Sequence, residues 1–406
     1  MPIKITPLNI SSVKEAQVQM RLIGVDPHGI KIMSPKMMYY SFKIDGVNSF
    51  SANIIKQHLL SLGSDAAINR KALLKNIKTP IIVFGTSYQM DKLVKKLKTQ
   101  PFELKEVASK IKDNLTLRSK KFIFKARNKL LRINKPLICG IINLTFDSFS
   151  GDGMLKNSRS ADINKKVIAK VETMVKNGAK MIDIGAESTR PYAVAVGEKE
   201  EIKRLVPVLR TVRKRFPKLI ISVDTYKYKA AKEALNCGVD VINDITALRH
   251  SPRIVNLIAK YKLGCILMHM KGTPKTMQIN PHYKNNVIDD VFDFLKTRTE
   301  YCLNSGITKE QIMVDPGIGF GKTVDDNYRI IKNLNVFKSI GLPVFLGVSR
   351  KSFIGKVLNV GVGERLYGTI SALVVSYING ASVLRVHDVK EANQALTIAN
   401  FIKNAS

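Results

Sequence analysis

Eight short apolar runs between residues 137 and 388 constrain this chain more than any other feature. They are LICGIINLT (137–145), MIDIGAES (181–188), LIISVDT (219–225), VDVINDI (239–245), GCILMHM (264–270), IMVDPGIGF (312–320), VFLGVSR (344–350) and VLRVHD (383–388). Near-continuous apolar strands are buried on both faces, which marks a parallel sheet covered by helices. Helix-like segments lie between the runs. One is Asp162–Asn177, with Ile163, Val167, Ile168, Val171 and Val175 on one face. Another is Glu200–Phe216, and a last one follows the eighth run at Lys390–Ile402. Eight β/α units predict a closed TIM (β/α)8 barrel rather than an open doubly wound sheet.

A second regularity sits on the first. Asn143, Asp183, Asp224, Asn243, His269, Asp315, Ser349 and His387 all fall near the C-terminal ends of their runs. In a barrel those ends converge on one face, where active sites are built. A single Asp at a strand end reads as a cap or turn residue. Eight polar residues in register across eight strands read as a site.

The first third of the chain is less informative. Residues 1–117 read as a small α+β accessory domain, giving an α/β chain of two parts. Ala52–Leu62 looks helical, Pro80–Gly85 looks like a buried strand, and Met90–Leu97 looks like a helix after it. The turn in IVFGTSYQ is read as a plain turn rather than an anion site, because one glycine is a weak signal. Residues 118–134 carry Arg118, Lys120, Lys121, Lys125, Arg127, Lys129 and Arg132 with no acid among them. They read as a basic connector, with the barrel domain spanning 135–406.

The net charge of +34 raises the question of nucleic acid. Most basic residues are scattered lysines at helical spacing, which reads as a solvated surface. No nucleic-acid module is recognisable, and anionic small molecules also gain from such a field. No run reaches the 18 or so apolar residues of a membrane span. The start, MPIKITPLNI, lacks the pattern of a secretory signal. Cys139, Cys237, Cys265 and Cys302 are widely spaced, and Cys139 and Cys265 sit in strand-like runs as buried thiols. A cytoplasmic location is expected.

The chemistry lies in motifs at the strand ends. The first run leads through Asn143-Leu144-Thr145-Phe146-Asp147-Ser148-Phe149-Ser150, and the second ends in Glu187-Ser188-Thr189-Arg190-Pro191. The third gives Asp224-Thr225-Tyr226-Lys227 and the fourth Asn243-Asp244. The sixth gives Asp315-Pro316-Gly317-Ile318-Gly319-Phe320-Gly321-Lys322, the seventh Ser349-Arg350-Lys351-Ser352 and the eighth Arg385-Val386-His387. This set, in this order, resembles the dihydropteroate synthase family over roughly residues 135–403. The segments Ser51–Ala67 and Phe84–Phe102 resemble the extra N-terminal region of its long members.

The resemblance implies a transferase. It displaces diphosphate from (7,8-dihydropterin-6-yl)methyl diphosphate with the amine of p-aminobenzoate, giving 7,8-dihydropteroate. It implies that Asp224, Asn243, Asp315 and Lys351 hold the pterin, whose donor–acceptor edge needs buried carboxylates and amides. Asp224 also stands where it stabilises positive charge on the pterin methylene as diphosphate leaves. Asp183 is expected nearby, orienting Lys351 or the loops. Arg385 and His387 suit the diphosphate, since a guanidinium forks onto phosphate oxygens. Asn143 is implied as a ligand of Mg²⁺ bridging to that diphosphate. Thr189, Arg190 and Ser352 are the candidates for the p-aminobenzoate carboxylate. The Ser/Gly-rich stretch Asp147–Gly153 suits a closing loop. A homodimer through the barrel helices is also implied.

Some positions depart from the family pattern. Phe146 stands where Pro is usual, Ala186 and Tyr192 where Gly is usual, and Ala247 where Gly is common. Ser150-Gly151-Asp152-Gly153 varies the usual order. These lie in or beside loops. Two rivals remain in view: a pterin-dependent methyltransferase, which needs no diphosphate site, and a nonenzymatic basic scaffold motivated by the charge.

Overall fold

A computed structural model describes residues 2–117, 120–145, 160–187, 196–274 and 276–405. The chain divides into two compact units, Met1–Lys120 and Lys121–Ala405.

The N-terminal unit opens with helices α1 (Val13–Leu22) and α2 (Pro27–Met33). Strand β1 (Tyr39–Asn48) then runs into α3 (Ser49–Leu60) and β2 (Asp65–Ile68). Next come β3 (Lys78–Thr86), α4 (Ser87–Leu97) and α5 (Leu104–Thr116). The three strands form an antiparallel sheet in the order β1–β3–β2. Strand β3 alternates: Thr79, Ile81 and Val83 are buried, while Lys78, Pro80 and Ile82 face out. It is therefore half-covered, not buried on both faces as the PIIVFG run suggested. The helices close the inner face through Ile55, Leu59, Met90, Leu93, Leu97, Leu104 and Ile111. At the turn into α4, the Thr86 hydroxyl accepts from Gln89 N, and Thr86 N donates back to Gln89 Oε1 at 2.8 Å. This capping box satisfies two backbone donors within the turn itself.

The second unit begins with a hairpin, β4 (Phe122–Ala126) and β5 (Lys129–Ile133). The stretch read as a basic connector is thus a structured part of the barrel unit from Lys121 onward. Buried and exposed positions alternate along β4: Phe122, Phe124 and Ala126 are buried, whereas Ile123 and Lys125 are exposed. The charge count concealed a two-residue period.

The barrel follows. Its early elements are β6 (Leu137–Asn143), α6 (Ser160–Lys176), β7 (Met181–Gly185) and α7 (Glu198–Arg215). Next are β8 (Ile220–Asp224), α8 (Tyr228–Asn236), β9 (Val241–Asp244) and α9 (Ile254–Tyr261). Then come β10 (Gly264–Met268), α10 (Val287–Asn304), β11 (Ile312–Asp315), α11 (Val324–Lys332) and α12 (Leu334–Lys338). The last are β12 (Phe345–Leu346), α13 (Ser352–Leu358), α14 (Leu366–Ile378), β13 (Val383–Val386) and α15 (Val389–Asn404). Eight parallel strands run in the order β11–β10–β9–β8–β7–β6–β13–β12. A parallel bridge between Val314 and Val344 joins the two ends. The sheet closes, and the TIM-barrel expectation is met.

Two cores result. One lies between strands and helices, with Val167, Val171, Leu205, Leu209, Ile258 and Leu295 among its helical members. On α6 the expected Val167 and Val171 are fully buried and Met174 is covered beside them, while Val175 at the end of the helix is exposed. The other core joins the hairpin's Phe122, Phe124 and Ile133 to Cys139, Met181, Ile220, Ile266, Met313 and Val383 of the strands. All four cysteines are buried and unpaired by disulfides. No described helix is long and apolar enough to cross a membrane.

Candidate active site

The C-terminal strand ends carry a charged network that the chain assembles from four strands. Asp183, in the middle of β7, is fully buried. Its Oδ2 accepts from Arg385 Nε of β13 at 2.6 Å and from Asn243 Nδ2 of β9 at 3.0 Å. Arg385 Nη2 donates to Asp224 Oδ2 of β8 at 3.1 Å. Two carboxylates therefore share one guanidinium. Burial and then the Asp183 charge push the Asp224 carboxyl up to about 7, against the pull of Arg385. Burial opposes the charge on Arg385, but the two carboxylates outweigh it and its pKa is raised. Asp183 thus positions Arg385 and Asn243. It was expected to orient Lys351 or the loops; of these, Lys351 is held elsewhere, by the Ile318 carbonyl.

Lys351 is held from another side. Its Nζ donates to the Ile318 carbonyl and sits 4.7 Å from the Phe320 ring centroid. Burial lowers its pKa to about 8, while the carboxylates of Asp315 and Asp224 act to raise it. Asp315 ends β11, and its Oδ1 accepts from Gly317 N at 2.7 Å. Burial raises the Asp315 pKa, against the charges of Lys351 and Lys322. Gly317 has φ 70°, and a Cβ there would run into the His269 carbonyl oxygen. Only glycine fits this turn under the strand ends.

Lys322 closes the glycine-rich run after β11, a place to which the motif alone assigns no role. It is buried, with Nζ 2.9 Å from His269 Nδ1 and 3.1 Å from the Phe320 carbonyl. Burial lowers its pKa to about 7. Burial and the Lys322 charge hold His269 well below the usual imidazole range. A neutral His269 then accepts at Nδ1, so this strand-end histidine is satisfied by a lysine. The signal available in the sequence was the position of Lys322 at the end of the glycine-rich run.

His387 Nδ1 lies 2.9 Å from Ser349 Oγ, and the same hydroxyl accepts from His387 N at 3.3 Å. Asn143 is half-buried at the end of β6, in register with Gly185. Ser352 is exposed at the first turn of α13. Thr189, Arg190, Phe146, Tyr192 and the stretch Asp147–Gly153 lie outside the described residues. Ala186 is buried, and its carbonyl accepts from Arg204 Nη1 at 3.3 Å. Ala247 has φ 50°. The family's usual glycine would sit there without the cost of roughly 1 kcal/mol that a Cβ adds in the left-handed region.

Residues 139–387 match the pterin binding enzyme family. The chain is 46% identical over 280 residues to dihydropteroate synthase of Haemophilus influenzae, covering 69% of this chain and 98% of the relative. The chain belongs to the dihydropteroate synthase family. The Escherichia coli K12 relative is 40% identical over 273 residues, covering 67% of this chain and 94% of its own. Among solved structures, the Yersinia pestis dihydropteroate synthase with a sulfonamide drug complex superposes with TM-score 0.66 at 38% identity, covering 70% of this chain and all of that one. The Burkholderia cenocepacia enzyme, complexed with 7,8-dihydropteroate, gives TM-score 0.61 at 33% identity, covering 70% of this chain and 97% of that one. The N-terminal unit lies outside the family match.

Proposed function

We infer that the chain condenses (7,8-dihydropterin-6-yl)methyl diphosphate with p-aminobenzoate to give 7,8-dihydropteroate and diphosphate. The observation that carries this reading is the Asp183–Arg385–Asp224 network beside Asn243, with Lys351 within the field of Asp224, Asp315 and Arg385. Asp315 spends Oδ1 on Gly317 N, and its second oxygen suits the amino side of a pterin. Asn243 and Lys351 supply a carboxamide and a donor for the same flat edge. The Asp224 carboxylate faces positive charge growing on the methylene as the C–O bond to diphosphate breaks. The aniline nitrogen forms the C–N bond and then loses its proton. Arg385 uses Nε and Nη2 on the two aspartates, leaving Nη1 for the departing anion. His387 joins it there as a donor. Thr189, Arg190 and Ser352 are proposed for the p-aminobenzoate carboxylate.

Asn143 offers a hard carboxamide oxygen. Among the described residues no cluster of three or more His, Cys, Asp or Glu forms a metal cage. That donor set fits Mg²⁺, which takes one or two protein oxygens and completes its shell with phosphate and water. Bound at Asn143, it would neutralise charge on the diphosphate.

We also propose a homodimer and a cytoplasmic location. Barrel helices α14 and α15 expose Tyr367, Ile378, Ile398, Phe401 and Ile402, an apolar set that suits a second copy. Sedimentation of the intact chain tests this. The N-terminal unit is proposed to serve structure or assembly. The deciding experiment supplies the pterin diphosphate, labelled p-aminobenzoate and Mg²⁺ to the purified chain, with Lys351→Ala beside it. Product from the wild type and none from the variant is expected. A folded wild type that forms no product would overturn the synthase reading.

A further inference from the structure

The glycine-rich turn after β11 is held by four side chains, and one of them is a buried lysine to which the reaction gives no part. Gly317, Gly319 and Gly321 take φ of 70°, 82° and 67°. Glycine at every second position leaves the backbone little preference for one path, so the path is imposed from outside. Each successive carbonyl has a side-chain donor. Ile318 O accepts from Lys351 Nζ and Gly319 O from Gln278 Nε2 at 2.7 Å. Phe320 O accepts from Lys322 Nζ at 3.1 Å and Gly321 O from Tyr283 OH at 2.7 Å.

Lys322 is the costly member of this set. It is buried, and its hydrogen-bond partners are the Phe320 carbonyl and, at 2.9 Å, His269 Nδ1; neither is a carboxylate. An apolar side chain of similar length would pack there with less penalty, so a function beyond packing is to be sought. His269 is itself anchored. It follows the last residue of β10, its N–H donates to the Asp315 carbonyl at 2.9 Å, and its ring stands edge-on to Phe294 with centroids 4.9 Å apart. Lys322 thus ties the Phe320 backbone to the junction of β10 and β11. Phe320 carries the tie onward: its ring packs against the cluster of Met268, Met270 and Met277 and lies 4.7 Å from Lys351 Nζ.

We propose that Lys322 is a positioning residue: strung between His269 and the Phe320 carbonyl, it fixes the Phe320 ring and, through that ring, the Lys351 ammonium. It touches neither substrate. The proposal rests on the synthase reading, which puts Lys351 on the pterin edge, and its test separates the two. Lys322→Met, Phe320→Leu, their double variant, His269→Asn and His269→Leu are compared with wild type by steady-state kinetics, by calorimetric titration with the pterin diphosphate and by thermal melting. Lys322→Met is expected to lower kcat/KM for the pterin diphosphate about 10²-fold, the scale of a misplacement of about 1 Å. Its Kd for that substrate should rise about tenfold, the worth of one hydrogen bond. The double variant should fall no more than about threefold below the weaker single variant, because both changes break one line of contacts, whereas independent roles would multiply. His269→Asn keeps an acceptor where Nδ1 stood and should recover most of the activity that His269→Leu loses. A packing role predicts the opposite order, since leucine fills the space beside Phe294 better than asparagine. That opposite order, multiplying losses, or a Lys322→Met protein that melts lower yet turns over normally per folded molecule overturns the proposal. If Lys322→Met fails to fold, the two His269 variants decide it. A wild type that binds the pterin diphosphate but forms no product sinks the synthase reading alone, and the titrations then decide the positioning role: unchanged Kd in Lys322→Met overturns it, a raised Kd supports it. A wild type that neither binds nor turns over overturns both.

Discussion

The two ends of the barrel are built on opposite principles. The N-terminal end is closed by the hairpin, whose Phe122, Phe124 and Ile133 pack into an apolar layer with Cys139, Met181, Ile220 and Met313. Among the described residues there, the buried Asp240 has cations beside it: its Oδ2 accepts from Lys129 at 2.9 Å, Arg213 at 2.5 Å and Ile221 N at 2.9 Å. The C-terminal end holds Asp183, Asp224, Asp315, Lys322 and Lys351 in poor solvation, with pKa values of four of them moved toward neutrality. One end gains stability from apolar contact. The other gives some up to hold charges close together in poor solvation, the arrangement proposed to act on the substrates.

Substitutions at the two ends should therefore fail in different ways. The largest effect is expected for Asp224→Asn, with kcat/KM reduced about 10³-fold, the scale of losing one electrostatic stabiliser of a transition state. The same variant should melt no lower than wild type at pH 8. The folded-state pKa of Asp224, about 7, lies above the ordinary 3.8. Its contribution to stability is thus present below pH 3.8 and lost as pH rises through about 7, so the neutral amide removes a burden there. Calorimetry beside kinetics checks both halves, and a lower Tm at pH 8 would break the contrast.

Phe124→Ala should reverse the pattern. It opens a cavity against Gly264, where a Cβ would meet the Phe124 ring, and should cost roughly 3–5 kcal/mol in denaturant unfolding. Turnover per folded molecule should hold. A kcat loss without a stability loss would mean that the two ends are not independent.

A smaller effect is expected with pH. Asp224 loses its charge as pH falls through about 7, and Lys351 loses its charge as pH rises through about 8. The kcat/KM profile should be a narrow bell, with each limb changing about tenfold per pH unit beyond its pKa. Asp224→Asn should flatten the acid limb of whatever activity remains. A flat profile from pH 6 to 9 would detach these groups from catalysis.

Least change is expected from removing residues 2–120, which ends the deletion before the hairpin. Turnover should stay within about twofold, with solubility or assembly altered. A cut at residue 134 would remove Phe122, Phe124 and Ile133 as well and should destabilise the barrel. Equal behaviour of the two truncations would show that the hairpin is dispensable.

The eight runs were legible in the sequence because period and burial are local properties: a strand covered on both faces must be apolar along its length, and Asp183, expected near a strand end, lies instead in the middle of β7. The family motifs were legible because each is a contiguous stretch of the chain. The hairpin was not, since its buried Phe122 and Phe124 alternate with residues that a charge count reads as linker. The pairings inside the site were out of reach altogether. Arg385 meets Asp183 across 202 residues and Asp224 across 161, and Lys322 meets His269 across 53. For Asp183 the sequence left Lys351 or the loops as partners, and the barrel supplies Arg385 and Asn243. Which charge neutralises which is decided only when the barrel closes, because a buried carboxylate takes the donor that the neighbouring strands bring within hydrogen-bond reach, whatever its distance along the chain.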